Sequence, residues 1–235
     1  MTGAPETALS VRRREGSGRP ILFLHGLASR AGVDWPDSEW APAERPHVLV
    51  DLPAHGDSPE VGVLPTSAVV DLLAETVAGE EIDLVGYSLG ARLGWALATH
   101  PRMRVRRVVL GGLSPVEPFT LVDLPGARAA LACGEAPTDP ITAMILGMAM
   151  LPGNRPAALL DLVEGLASEP FDPAADAPTQ PTLLVGGVED PMAQGVEALA
   201  ATAPFSRVQR VPGDHLAALH TPEFRAAVLA FLAAD

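Results

Sequence analysis

The chain has 235 residues, 48% of them hydrophobic, enough to bury one core in an ordinary single domain. Its net charge of −13 repels phosphate backbones and excludes a nucleic-acid partner. Every cationic side chain is an arginine, which excludes lysine Schiff-base, PLP and Walker-loop chemistry, and the single cysteine, Cys133, can form neither an internal disulfide nor a cysteine-rich zinc site.

Met1 to Gly18 is polar and lacks the apolar stretch of a signal peptide. Arg12, Arg13 and Arg14 are followed by Glu15-Gly16-Ser17-Gly18, not by an apolar run. No segment approaches the roughly 18 apolar residues of a membrane span, so a cytoplasmic protein without a membrane partner is expected. Ile21–Leu24 and Val48–Leu52 are short apolar runs, as expected for strands buried on both faces. Thr66 caps a helix that buries Val69, Leu73 and Val77 and ends at Gly79. Ile82–Gly86 is the next strand, Leu89–His100 a helix stopped by Pro101, and Val108–Leu110 a further strand. Between Ser114 and Pro181 no strand is expected. Residues 115–178 carry nine acids and two arginines, with an apolar patch at Ile141–Leu151, and read as a helical cap inserted into a core formed by 1–114 and 179–235. Thr182–Val185 and the weaker Arg207–Val211 are the last strands. Thr221-Pro222 opens a final helix with Phe224, Val228, Phe231 and Leu232 on its buried stripe. Strands alternating with helices predict an α/β fold with a mostly parallel sheet.

Gly86-Tyr87-Ser88-Leu89-Gly90 joins a strand to a helix, the context in which Gly-x-Ser-x-Gly forms a strained turn that exposes a nucleophile. A serine hydroxyl needs a base, and His215 lies after the last strand, at the carboxyl edge where such loops converge. His47, His100 and His220 lie at strand starts or helix ends and fit surface or capping roles. Asp190 ends Gly186-Gly187-Val188-Glu189-Asp190 and is the acid that would orient His215. Glu189 reads as a solvated charge, and Asp214 sits too close in sequence to reach the ring. The N–H groups of Leu27 and Leu89 are the expected oxyanion donors, with His25 bracing the first loop. Gly26, Tyr87, Arg92, Met144 and Met148 are the residues expected to border the substrate.

The His25-Gly26 loop, the segment from Asp51 to Ser58, the Gly86–Gly90 elbow, Asp190 and Gly213-Asp214-His215 together resemble the α/β-hydrolase superfamily. The resemblance runs from about Arg19 to Leu232 apart from the insertion. Ala54 departs from it, since relatives commonly carry glycine there, which should alter only a loop. The resemblance implies acyl transfer through an acyl-enzyme on Ser88, with no cofactor or metal. The acidic insertion points to a small neutral ester, thioester or related acyl substrate and away from anionic thioesters. Met144 and Met148 would either line the acyl pocket or pack the cap on the body. With Arg92 one helical turn past Ser88, the elbow is also similar to that of the menaquinone-pathway synthases that eliminate pyruvate, in which such an arginine contacts substrate carboxylate. A non-enzymatic receptor on the same fold is the third reading. The partner is a small molecule, and the chain is expected to be a monomer or homodimer.

Overall fold

The computed structural model describes residues 8–40, 44–77 and 79–234. The first seven positions of the polar N-terminal stretch lie outside the described residues. Among the described residues, seven strands form one sheet in the order β1-β3-β2-β4-β5-β6-β7. They are β1 (Val11–Arg14), β2 (Ile21–Leu24), β3 (His47–Val50), β4 (Glu81–Tyr87), β5 (Arg104–Gly111), β6 (Thr182–Gly187) and β7 (Ser206–Val211). All neighbours are parallel except β1, which runs antiparallel to β3 with Val11 opposite Val50. The sequence gives no signal for β1, because Val-Arg-Arg-Arg has no apolar alternation. It lies at an edge, and charge there blocks further strand pairing.

The period of two along each strand sorts side chains into two cores. Leu22, Leu24, Leu84, Val108, Leu110 and Leu184 face α3 (Thr66–Val77) and α4 (Leu89–Leu97). Ile21, Phe23, Leu49, Val85, Val109 and Leu183 face the other way. There they meet α1 (Ala31–Asp34), α2 (Asp37–Trp40) and α9 (Pro222–Ala233), whose Phe224, Val228, Phe231 and Leu232 form the expected buried stripe. The Thr221 hydroxyl caps α9 by accepting from Phe224 N–H. α8 (Val196–Thr202) packs beside β6 and β7.

Residues 115–178 contain no strand and hold α5 (Leu124–Cys133), α6 (Pro140–Ala149) and α7 (Pro156–Ser168). Asp123 and Asp139 cap the first two through the N–H groups of Gly126 and Thr142, and proline stands in the first turn of all three. No helix among the described residues is long and apolar enough to cross a membrane.

The strand order locates the site. The chain moves outward from β2 to β3, then returns to place β4 on the other side of β2. The loops leaving β2 and β4 therefore diverge at the carboxyl edge of the sheet, the position at which open α/β sheets form a crevice.

Candidate active site

Ser88 stands between β4 and α4 with φ +51° and ψ −114°, a region costly for a residue with a Cβ. Its N–H donates to Gly111 O at 2.8 Å and its carbonyl accepts from Arg92 N–H at 2.9 Å, which fixes the turn from both sides. The flanking glycines are required sterically. A Cβ on Gly86 would lie 2.4 Å from Gly90 O, and one on Gly90 would lie 2.2 Å from Leu24 O.

His215 Nε2 lies 3.0 Å from Ser88 Oγ, and His215 Nδ1 lies 2.9 Å from Asp190 Oδ2. With Nδ1–H donating to the carboxylate, Nε2 is left to accept from the serine hydroxyl. Asp190 is buried, and its second oxygen accepts from Met192 N–H at 2.8 Å. Glu189 is exposed. Asp214 accepts from the N–H groups of Leu216 and Ala217 and so caps its own turn. Both rival acids are thus placed as the sequence suggests.

The loop after β2 has its polar groups engaged one by one. His25 Nδ1–H donates to Gly26 O at 2.8 Å, and His25 Nε2 accepts from Leu52 N–H at 2.9 Å. Gly26 N–H donates to Asp34 Oδ2 at 2.7 Å, and Ala28 N–H donates to His55 Nε2 at 2.9 Å. Asn154 Nδ2 reaches from the cap to Ala28 O at 3.0 Å. Between these, Leu27 N–H has no acceptor among the described residues, nor has Leu89 N–H at the start of α4. Pinning Gly26 O fixes the direction of Leu27 N–H, because the two belong to one planar trans peptide. Burial pushes His25 down and holds His55 at about 3, so both rings stay neutral and able to accept.

Against Ser88 lies a small cleft with Leu113, Val116, Phe119, Phe171 and Met192 among its walls. It is apolar apart from Ser88, Ser114 and the edge of Arg92. Gly26 lies beside Ser88, since a Cβ there would lie 3.6 Å from Ser88 Cβ, but it is not among the residues lining the cleft.

Tyr87, Met144 and Met148 do not line this cleft, and Arg92 lines it without offering it a free guanidinium. Tyr87 is buried beneath the His215 loop, where its hydroxyl donates to His215 O at 2.6 Å. Arg92 borders the cleft but directs its guanidinium into the protein, with Nε 2.8 Å and Nη2 2.6 Å from Glu117 Oε2. Its other donors go to Thr66 Oγ1, Leu166 O and Glu169 O. Burial lowers the Arg92 pKa, and the neighbouring Glu117 opposes that shift. Helix α6 turns Thr142, Ile145, Leu146 and Ala149 inward, which leaves Met144 exposed and Met148 against the core. Sequence reasoning missed Asp34, Phe119, Phe171 and Met192. Only Met192 carried a signal, as an apolar residue two places after Asp190.

Residues 21–228 match the description "Alpha/beta hydrolase family". The 2-(acetamidomethylene)succinate hydrolase of Mesorhizobium japonicum is 31% identical over 90% of this chain and 86% of its own. A crystal structure of E-2-(acetamidomethylene)succinate hydrolase superposes with TM-score 0.70 and 27% identity, covering 96% of this chain and 95% of that one. The 2-succinyl-6-hydroxy-2,4-cyclohexadiene-1-carboxylate synthase of Photorhabdus laumondii is 37% identical over 87 residues, 36% of this chain. That match spans about a third of the relative, 31% of its length.

Proposed function

The chain belongs to the alpha/beta hydrolase family, and we propose that it is a serine hydrolase cleaving a small neutral ester, thioester or related acyl substrate. The observation that carries this reading is the hydrogen-bonded row Ser88–His215–Asp190, with spacings of 3.0 and 2.9 Å. As Ser88 Oγ attacks the acyl carbon, His215 Nε2 takes its proton, and Asp190 stabilises the resulting imidazolium. The oxyanion forms between the N–H groups of Leu27 and Leu89, a type of donor worth about 10²–10³ in rate. His215 then protonates the leaving group. Water, deprotonated by His215, attacks the acyl-enzyme, releases the acid and restores Ser88.

The apolar cleft and the acidic cap support a neutral substrate. A second reading, a lyase, rests on the local similarity to the synthase. The names of both this synthase and the succinate hydrolase contain carboxylates, and an anionic substrate here would call for a cation at the cleft. Arg92 borders the cleft, but Glu117 already occupies its guanidinium. The test compares p-nitrophenyl butanoate with the p-nitrophenyl hemisuccinate of similar length. The hydrolase reading expects preference for the butanoate and loss of turnover in Ser88→Ala. Preference for the hemisuccinate would contradict the neutral-substrate reading, and turnover unchanged in Ser88→Ala would remove Ser88 as nucleophile.

A further inference from the structure

Adjoining the Ser88 cleft is a second, larger one between α3, α4 and the irregular segment after α7. Val70, Trp95, Ala96 and Pro170 supply its apolar surface, and the carboxylates of Asp71, Glu169, Asp172 and Asp176 stand along its polar side. The two clefts share two wall residues, Arg92 and Phe171. These side chains therefore form the partition between them.

The two halves of the partition are held very differently. The Arg92 guanidinium is bound to Glu117, Thr66, Leu166 and Glu169 and is 4% exposed. It is a fixed brace. Phe171 sits on non-helical chain, with its N–H on Glu117 Oε2 at 2.8 Å. Among the described residues its ring meets apolar partners, edge-on to Trp95 at 5.9 Å and 89°. An aromatic ring standing between the small Ser88 cleft and a larger one limits how far an acyl chain can extend from Ser88.

We propose that Phe171 is the residue that limits acyl-chain length, and that the protein acts on short acyl groups because the Phe171 ring shuts off the second cleft. This deepens the hydrolase reading and rests on it. Removing the ring joins the clefts and admits a longer chain, with Trp95 exposed along its path.

The test is the ratio of kcat/KM for p-nitrophenyl octanoate to that for p-nitrophenyl butanoate. The wild type should favour the butanoate at least tenfold, and Phe171→Ala should raise the ratio at least tenfold. Phe171→Leu, which keeps apolar bulk against Trp95, covers a failure of Phe171→Ala to fold and should raise the ratio by a smaller factor. A wild type that handles both esters equally, or a folded variant with the ratio unmoved, overturns the proposal. Binding separates this inference from the serine chemistry. In Ser88→Ala, ethyl octanoate titrated against tryptophan fluorescence should bind at least tenfold more tightly once Phe171→Ala is added. Equal affinity in the two backgrounds overturns the proposal even where no ester is turned over.

Discussion

The Ser88 turn holds a backbone conformation that a side chain disfavours, and the surrounding atoms leave it no alternative. The loop opposite is built in the same way. Asp34 is buried and accepts both Gly26 N–H at 2.7 Å and the Ser29 hydroxyl. It never touches the cleft and acts through the loop, as a positioning residue. Asp34→Ala should lower kcat by about 10- to 100-fold through misplacement of Leu27 N–H, with KM nearly unchanged. Asp34→Asn, which keeps an acceptor for Gly26, should recover much of it. Steady-state kinetics on one ester decides this, and a loss confined to KM would contradict the role. Tyr87→Phe removes the 2.6 Å bond to His215 O and should cost about 1 kcal/mol in urea unfolding. Ser88, Asp190 and His215 were legible in the sequence because each sits in a short local pattern at a strand end. Asp34 was not, since a lone acid in a four-residue helix has no periodicity to mark it.

The elements meet at ties that the sequence does not advertise. Arg92 on α4 and Glu117 at the start of the cap are 4% and 8% exposed and join the cap to the body. Arg92→Ala leaves Glu117 charged and buried and should destabilise the protein by about 3 kcal/mol in urea unfolding. An unchanged midpoint would show that the pair contributes nothing to cap docking. The cap was legible as a helical insertion, because acids and apolar stripes mark helices. Its face toward Ser88 was not legible. Phe119 and Phe171 meet at one cleft only after α5, α6 and α7 have docked. Methionine chemistry suits an acyl pocket, but the rotation of α6 decides where Met144 and Met148 point. Ala54 adopts φ +65°, which explains why relatives would favour glycine there: only glycine enters that region without steric cost.

Across the whole molecule, buried neutral histidines make stability depend on pH. Burial pushes His55 from 6.5 to about 3 and His47 from 6.5 to about 4. The unfolded chain takes these protons first. Stability is therefore complete above about pH 6.5 and is lost as pH falls toward 4 and 3, by up to about 1.4 kcal/mol per unit for each histidine. Neither ring nitrogen of His47 has a hydrogen-bond partner among the described residues. His47→Leu should therefore reduce the loss between pH 7 and pH 5, read as the shift in urea midpoint; an unaltered shift would contradict the assignment. The parallel sheet was legible because its strands are continuous apolar runs, while the edge strand β1 was hidden by its arginines.

The central claim is that Ser88 is an activated nucleophile, with His215 as its base. A fluorophosphonate probe measures that without assuming a substrate, applied to the wild type, Ser88→Ala and His215→Ala. Labelling of the wild type that both variants lose is the expected result. A folded wild type that stays unlabelled, or a Ser88→Ala variant that still labels, would contradict the account.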